Sequence, residues 1–416
     1  MRTHRSRAGA RLTRYIVASI CAGAGPLSAA AGDYETCKNA YVVPQDRIVS
    51  SSSESAASSE DPWFQACLAD RQNAPKSVAV QSVVTMSVMT GFTGALMGRL
   101  DSARVEGVAG GSPGTTNVAA LPNDGMMALG ARQKPRPGPA AAPGGPSSPL
   151  VVYALGTYLG GSLDAAPMLA GYAYGAASGT VGVEYSASRY LILGLAAGFT
   201  AADADLTTNA TMDADAIQAA AYLSYATREW FVDALAAYAA VDIGMARPVL
   251  GGLVRGNTDA GVFALAARGG YLFDFGKLRA GPIAGLAYLY GTVDGYTETG
   301  ALATTVGEQT VESITGSAGL RFLAPFQAGG SLFVPYLNVT LEHQFGDGTQ
   351  SLAVSFAGVS TPVSVPAFDA RDFGKIEGGV TVELAPEASV SVNGSSTFAR
   401  DDAKDFRIAA GVNYRF

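Results

Sequence analysis

Residues 406–416 read FRIAAGVNYRF. Phe406, Ile408, Ala410, Val412, Tyr414 and Phe416 fall on alternate positions, so an extended chain puts them on one face and Arg407 and Arg415 on the other. An alternating strand that ends in an aromatic residue offers an apolar edge that must be paired, and closing it against a first strand removes the edge altogether. These six residues are therefore read as the assembly signal of an outer-membrane β-barrel.

The same texture extends back to Leu150. In Tyr190 to Thr200 (YLILGLAAGFT), Leu191, Leu193, Leu195, Ala197 and Phe199 share a face suited to lipid, and Gly194, Ala196 and Gly198 share the other. Charges recur on the second kind of face: Glu184 opposes Val183 and Tyr185, Arg268 opposes Leu265 and Tyr271, and Arg321 opposes Leu320 and Phe322. Glu377 and Glu383 likewise oppose Ile376, Val380, Val382 and Leu384. With Glu342, Arg407 and Arg415 these form a set of lumen charges, since a charge on the lipid face would be costly. A soluble sandwich would fill its polar face with Lys, Glu and Thr, whereas here that face is mostly Gly, Ala and Ser. At about 22 residues per strand with its connection, residues 151–416 allow about 12 strands. The sequence thus predicts an all-β fold, a 12-stranded antiparallel transmembrane β-barrel over 150–416. Tyr185, Tyr225, Tyr288 and Tyr290 are expected at headgroup depth.

Composition agrees with this class. The chain has 51 Gly, is 48% hydrophobic and only 15% charged, and shows no succession of long apolar runs. Arg2, Arg5, Arg7, Arg11 and Arg14 precede an apolar stretch from Tyr15 to Leu27, and Ala29 to Ala31 supply a cleavage site, so residues 1–31 read as a signal peptide for the Sec translocon. Ile20 before Cys21 argues against a lipoprotein signal. Without those five leader arginines, 28 basic against 35 acidic residues become a formal charge of about −12. No basic cluster follows the leader, which excludes nucleic acid as a partner.

Three stretches precede the barrel. Residues 32–75 are polar and passenger-like, 76–104 form a helix whose hydroxyls and Gly91, Gly94 and Gly98 suit a protein-lined or wet setting, and 105–149 are a Gly/Pro-rich linker expected to be flexible. The N-terminal part is thus helix-containing but largely disordered. Cys37 and Cys67 can close a disulfide on the export side or stay as free thiols. Residues 110–114 match the G-x-S-x-G pattern, but Pro113 stands where a helix should start and His343, in a barrel strand, is the remaining histidine beyond the leader. No catalytic residue is assigned, no metal-ligand cluster is present and no cofactor is implied.

The stretches VGVEYSASRYLILGLAAGFT (181–200), PYLNVTLEHQFGDGTQSLAVSFAG (335–358) and AAGVNYRF (409–416) resemble the C-terminal translocator domain of autotransporters, the type V secretion proteins. Glu342, His343, Phe345, Gly346, Asp347 and Phe356 stand where that family has a strand ending, a Gly-Asp turn and a return strand. The resemblance implies a 12-stranded barrel inserted by the outer-membrane assembly machinery, with a helix plugging the pore and the N-terminal segment exported or displayed. A monomer in outer-membrane lipid is expected. Residues 76–100 hold no Asn, so cleavage at an Asn pair is not supported. The alternative is a small porin-like channel. A third reading is adhesion through loops around Asp203 to Asp213, Asp294 to Thr305 and Gly346 to Asp369.

Overall fold

The computed structural model describes residues 62–109 and 149–416, apart from 167–168, 250–251, 301, 346–348, 357–358, 367–370, 386 and 401. The leader, Cys37 with its possible bridge to Cys67, and the 110–114 motif lie outside the described residues. The chain divides into two compact units, 1–68 and 69–416. Of the first, the described part is the opening turns of a helix; the second holds the remainder of that helix and the barrel.

Helix α1 spans Pro62–Ala109 and so starts earlier and ends later than the expected 76–104. Pro62 suits a first helical position, where its missing N–H costs nothing. Pro75 lies inside the helix and removes one intrahelical bond, a defect of about 3 kcal/mol in an isolated helix. Here the turn that follows it, Ser77 to Gln81, is buried in the barrel, and the N–H of Ala170 in a barrel loop donates to the Lys76 carbonyl at 3.3 Å.

Twelve strands form the barrel. They are β1 (Leu150–Leu163), β2 (Tyr172–Ser186), β3 (Leu191–Leu206), β4 (Thr211–Ala226), β5 (Trp230–Val249) and β6 (Gly252–Tyr271), then β7 (Leu278–Val293), β8 (Gln309–Leu323), β9 (Ser331–Phe345), β10 (Asp372–Ala385), β11 (Ala388–Phe398) and β12 (Ala403–Arg415). Each pairs antiparallel with the next, and β12 closes on β1 with Val151 opposite Arg415 and Tyr158 opposite Ile408. Closure leaves no edge, which is what a sheet in hydrocarbon requires.

Alternation is cleanest in β4, where Met212, Ala214, Ala216, Gln218, Ala220, Tyr222 and Ser224 are buried while Ile217, Ala219, Ala221 and Leu223 face out. Phe406, Ile408, Ala410, Val412, Tyr414 and Phe416 all face out from β12. At the end where β1 begins, the connections are short, and Tyr225 stacks on Trp230 with centroids 5.2 Å apart. At the other end the β7–β8 and β9–β10 connections are long and contribute a separate four-stranded sheet built from Tyr296–Thr297, Thr305–Val306, Thr349–Phe356 and Val359–Pro366. Short turns mark the periplasmic end of such barrels and long loops the outer end.

One loop expectation needs correcting. Asp203 and Asp205 belong to β3 and Asp213 to β4, paired Asp203 to Asp213, so the loop shrinks to residues 207–210. The alternation simply continues past the membrane-spanning length, with Asp instead of Leu on the outer face once that face meets water. Strands β5 and β6, 20 residues each, project furthest.

Candidate functional site

The lumen is filled by α1. Small inward side chains on β3 to β6 (among them Ala196, Ala202, Ala214, Ala216, Ala220, Ala237, Ala239 and Ala264) leave the width a helix needs, and Val78, Val80, Val84, Val88, Phe92, Leu96 and Leu100 join one buried core with them. On another face the helix approaches closely: a Cβ at Gly91 would meet Leu159 at 3.1 Å, at Gly94 Arg407 at 3.4 Å, and at Gly98 Asn393 at 3.2 Å. The helical hydroxyls turn inward on their own backbone. Thr85, Thr90 and Thr93 donate to the carbonyls of Gln81, Met86 and Met89 at 2.7, 2.9 and 3.0 Å, so they need no partner on the wall.

Charges fix the depth of the helix. Arg99 forms a two-pronged pair with Glu184, Nε to Oε1 at 3.1 Å and Nη2 to Oε2 at 2.6 Å, with both side chains buried. Tyr222 supports that carboxylate at 3.1 Å and lies 2.8 Å from the Tyr153 hydroxyl. Two residues on, Asp101 accepts from Arg268 Nη2 at 2.7 Å and Arg321 Nη1 at 2.6 Å, and also pairs with Arg104 of its own helix. Arg104 reaches Asp233 on β5, which Arg268 also contacts at 3.0 Å and Ser224 at 2.8 Å. Phe231 lies under Arg104, whose guanidinium carbon is 4.1 Å from the ring centroid. A buried charge survives only when paired and hydrogen-bonded, and each of these four arginines finds a carboxylate at this depth.

Of the lumen charges expected from sequence, Glu184, Arg268 and Arg321 hold the helix, while Glu377 pairs with Arg407 at 2.9 Å across the wall. Glu342 accepts from Thr340 at 2.8 Å and lines a cavity of about 360 Å³ between Thr90, Thr93 and Met97 of the helix and Asn338, Thr340 and Gln344 of the wall. Glu383 and Arg415 share the inward face near the short-turn end and are half-buried. Sequence reading passed over Arg99, Asp101, Arg104 and Asp233. The available signal was Arg-x-Asp-x-x-Arg at 99–104 on an otherwise apolar helix, which demands partners wherever that helix is buried.

At the opposite end, Gln81 donates to the Tyr296 hydroxyl at 3.0 Å and accepts from Gln309 at 3.2 Å, and Ser77 meets Thr208 at 2.8 Å. The β7–β8 connection is pinned there by Arg247, which grips Glu298 at 2.9 and 2.6 Å, while Thr304 donates to the same carboxylate from N–H and hydroxyl. Burial pushes the Glu298 carboxyl up, but Arg247 and the Thr304 donors outweigh it and hold the group below the ordinary carboxylate range. A folded-state pKa below the unfolded value means the contribution is complete above about pH 4.3 and is lost as pH falls through the lower value. Hydrogen exchange of residues 296–306, corrected for intrinsic rate, is expected to accelerate on acidification below that range, and Glu298→Gln should exchange fast at pH 7 already. Unchanged exchange in the variant would show that the pair does not hold the loop.

A family model described as the autotransporter beta-domain matches residues 154–395. No curated protein matches the sequence. Among solved structures, the chain is similar to the translocator domain of the autotransporter NalP from Neisseria meningitidis, with TM-score 0.53 and 17% identity over 66% of this chain and 90% of that one. It is also similar to the beta domain of the Bordetella autotransporter BrkA, with TM-score 0.51 and 16% identity over 65% of this chain and all of the other. At these identities the structures speak for the fold, and the family match, spanning more than half of the sequence, speaks for descent. The chain therefore belongs to the autotransporter beta-domain family of outer-membrane β-barrel translocators.

Proposed function

We propose that this barrel anchors in the outer membrane and displays the segment ahead of α1 at the cell surface, with the helix left in the pore as its plug. The observation that carries this is the direction of the helix. Ser77 and Gln81 are held at the long-loop end, Arg99 to Arg104 at the short-turn end. Followed toward its N-terminus, α1 thus leaves the lumen on the side that faces outward in such barrels. Its C-terminal end and the start of β1 lie on the same, periplasmic side, so residues 110–148 join two points there and need not thread the pore.

Export by the Sec translocon, insertion by the barrel assembly machinery through the outward row of β12, and action as a monomer complete the proposal. The β-domain family is not enzymatic, and we assign this chain no catalytic step. The test is an epitope tag within Ser50 to Ser59, probed by protease on intact cells against a periplasmic control tag. Loss of the tag is the expected result. Protection, with the barrel in the outer membrane, would overturn display and favour a small channel whose path runs beside the helix.

A further inference from the structure

At the short-turn mouth, the guanidiniums of Arg104, Arg268 and Arg321 share two carboxylates, Asp101 and Asp233, which are both fully buried. Arg279, at the start of β7 and 2% exposed, donates Nη2 to the Arg228 carbonyl but leaves Nε and Nη1 without a partner. It lines a cavity of about 20 Å³ together with Arg104, Arg228, Arg321 and Phe231 and with the acidic residues Asp101 and Glu229. A guanidinium stays protonated at any relevant pH, so its orphaned donors cannot be relieved by losing a proton.

We propose that this cavity is a binding site for a monatomic anion, chloride in the cell envelope, held by Arg279 Nε and Nη1 and facing Arg104 and Arg321. The volume admits one or two water-sized groups and excludes phosphate or an organic acid. Water alone would satisfy the donors but would leave Arg279 without an ion-pair partner among the described residues. The anion also has a role in seating the plug: Arg104 arrives with the helix and faces the cavity that Arg279 and Arg321 line on the wall, so a halide there adds an attraction between helix and wall to the one that Asp101 already supplies. The site does not depend on which side of the membrane the N-terminal segment occupies.

The experiment uses purified full-length protein with its helix in place, unfolded thermally in sodium chloride, bromide or gluconate at one ionic strength. Chloride and bromide are expected to raise the midpoint above gluconate by about 3 °C or more, because an anion bound to the folded state alone stabilises by mass action. Bromide-soaked crystals should show an anomalous peak within hydrogen-bonding reach of Arg279. Arg279→Gln should erase the halide dependence; if it does not fold, Arg279→Lys, which keeps the charge and loses the fork, should at least halve it. Equal midpoints in all three salts, no bromide peak, or a halide effect that persists unchanged in the Arg279 variant would each overturn the site.

Discussion

Replacing Asp101 by alanine is expected to unplug the barrel. Asp101 is the single carboxylate at which Arg104, Arg268 and Arg321 converge, and it lies at 0% exposure. Its removal strips Arg321 of its ion-pair partner and leaves Asp233 to serve both Arg104 and Arg268. Breaking one side of a buried pair costs about 3–5 kcal/mol, most of it the penalty for the charge left behind. Since each 1.4 kcal/mol is tenfold, the ratio of helix-in to helix-out should fall roughly a few hundred-fold to a few thousand-fold. The readout is conductance in planar bilayers, with open-pore events frequent in Asp101→Ala and rare in the parent. Protease sensitivity of α1 should rise in parallel. Asp101→Asn, which keeps an acceptor and loses the charge, should fall between the two. The barrel of each variant must first be shown folded by its heat-modifiable migration. Closed channels in a folded Asp101→Ala barrel would mean the apolar face of the helix, from Val78 to Leu100, holds it unaided.

This prediction rests on contacts that local sequence pattern could not reveal. The barrel was legible because strand alternation repeats every two residues and lipid penalises every misplaced charge, so Glu184 between Val183 and Tyr185 or Arg321 between Leu320 and Phe322 declares its side at once. The partners of those charges were not legible in the same way. Arg99 meets Glu184 across 85 residues and Asp101 meets Arg321 across 220, separations over which no periodicity runs. Asp101 also sits just where the apolar texture of the helix ends, and Asp233 sits in an alanine-rich strand that looks complete without it. Loop boundaries failed for a related reason: the outward face changes from Leu and Phe to Asp at the membrane surface, while the backbone of β3 and β4 continues unchanged to Leu206 and from Thr211. Polarity marked the limit of the lipid, not the end of the strand.

The glycines on the inner wall show how register turns such a pattern into a site, and Gly194→Ala is expected to cost more than any outward substitution on β3. Gly194 lies directly opposite Tyr222 in the β3–β4 register, and a Cβ built on it would fall within 3.0 Å of the Tyr222 ring. Gly182 on β2 stands in the same relation to Tyr153, opposite it on β1. The two glycines thus provide the recesses in which both rings lie, a close approach that only a residue without a side chain permits. The rings are buried; the Tyr222 hydroxyl reaches Glu184, the partner of Arg99, and the Tyr153 hydroxyl reaches that of Tyr222. Pushing Tyr222 aside therefore has two costs: overpacking of about 1–3 kcal/mol, and about 1–3 kcal/mol for weakening the support of a buried carboxylate. The sum should lower both the thermal midpoint of the barrel and the retention of the helix. In a double-mutant cycle, Gly194→Ala combined with Tyr222→Ala should be much less than additive, because the ring that the methyl strikes is gone. Simple additivity would place the damage elsewhere on β3, and an unperturbed Gly194→Ala barrel would mean Tyr222 can hold Glu184 from another rotamer. In the expected outcome, a single methyl group on the wall loosens a helix it never touches, because the ring between them orients the carboxylate that Arg99 needs.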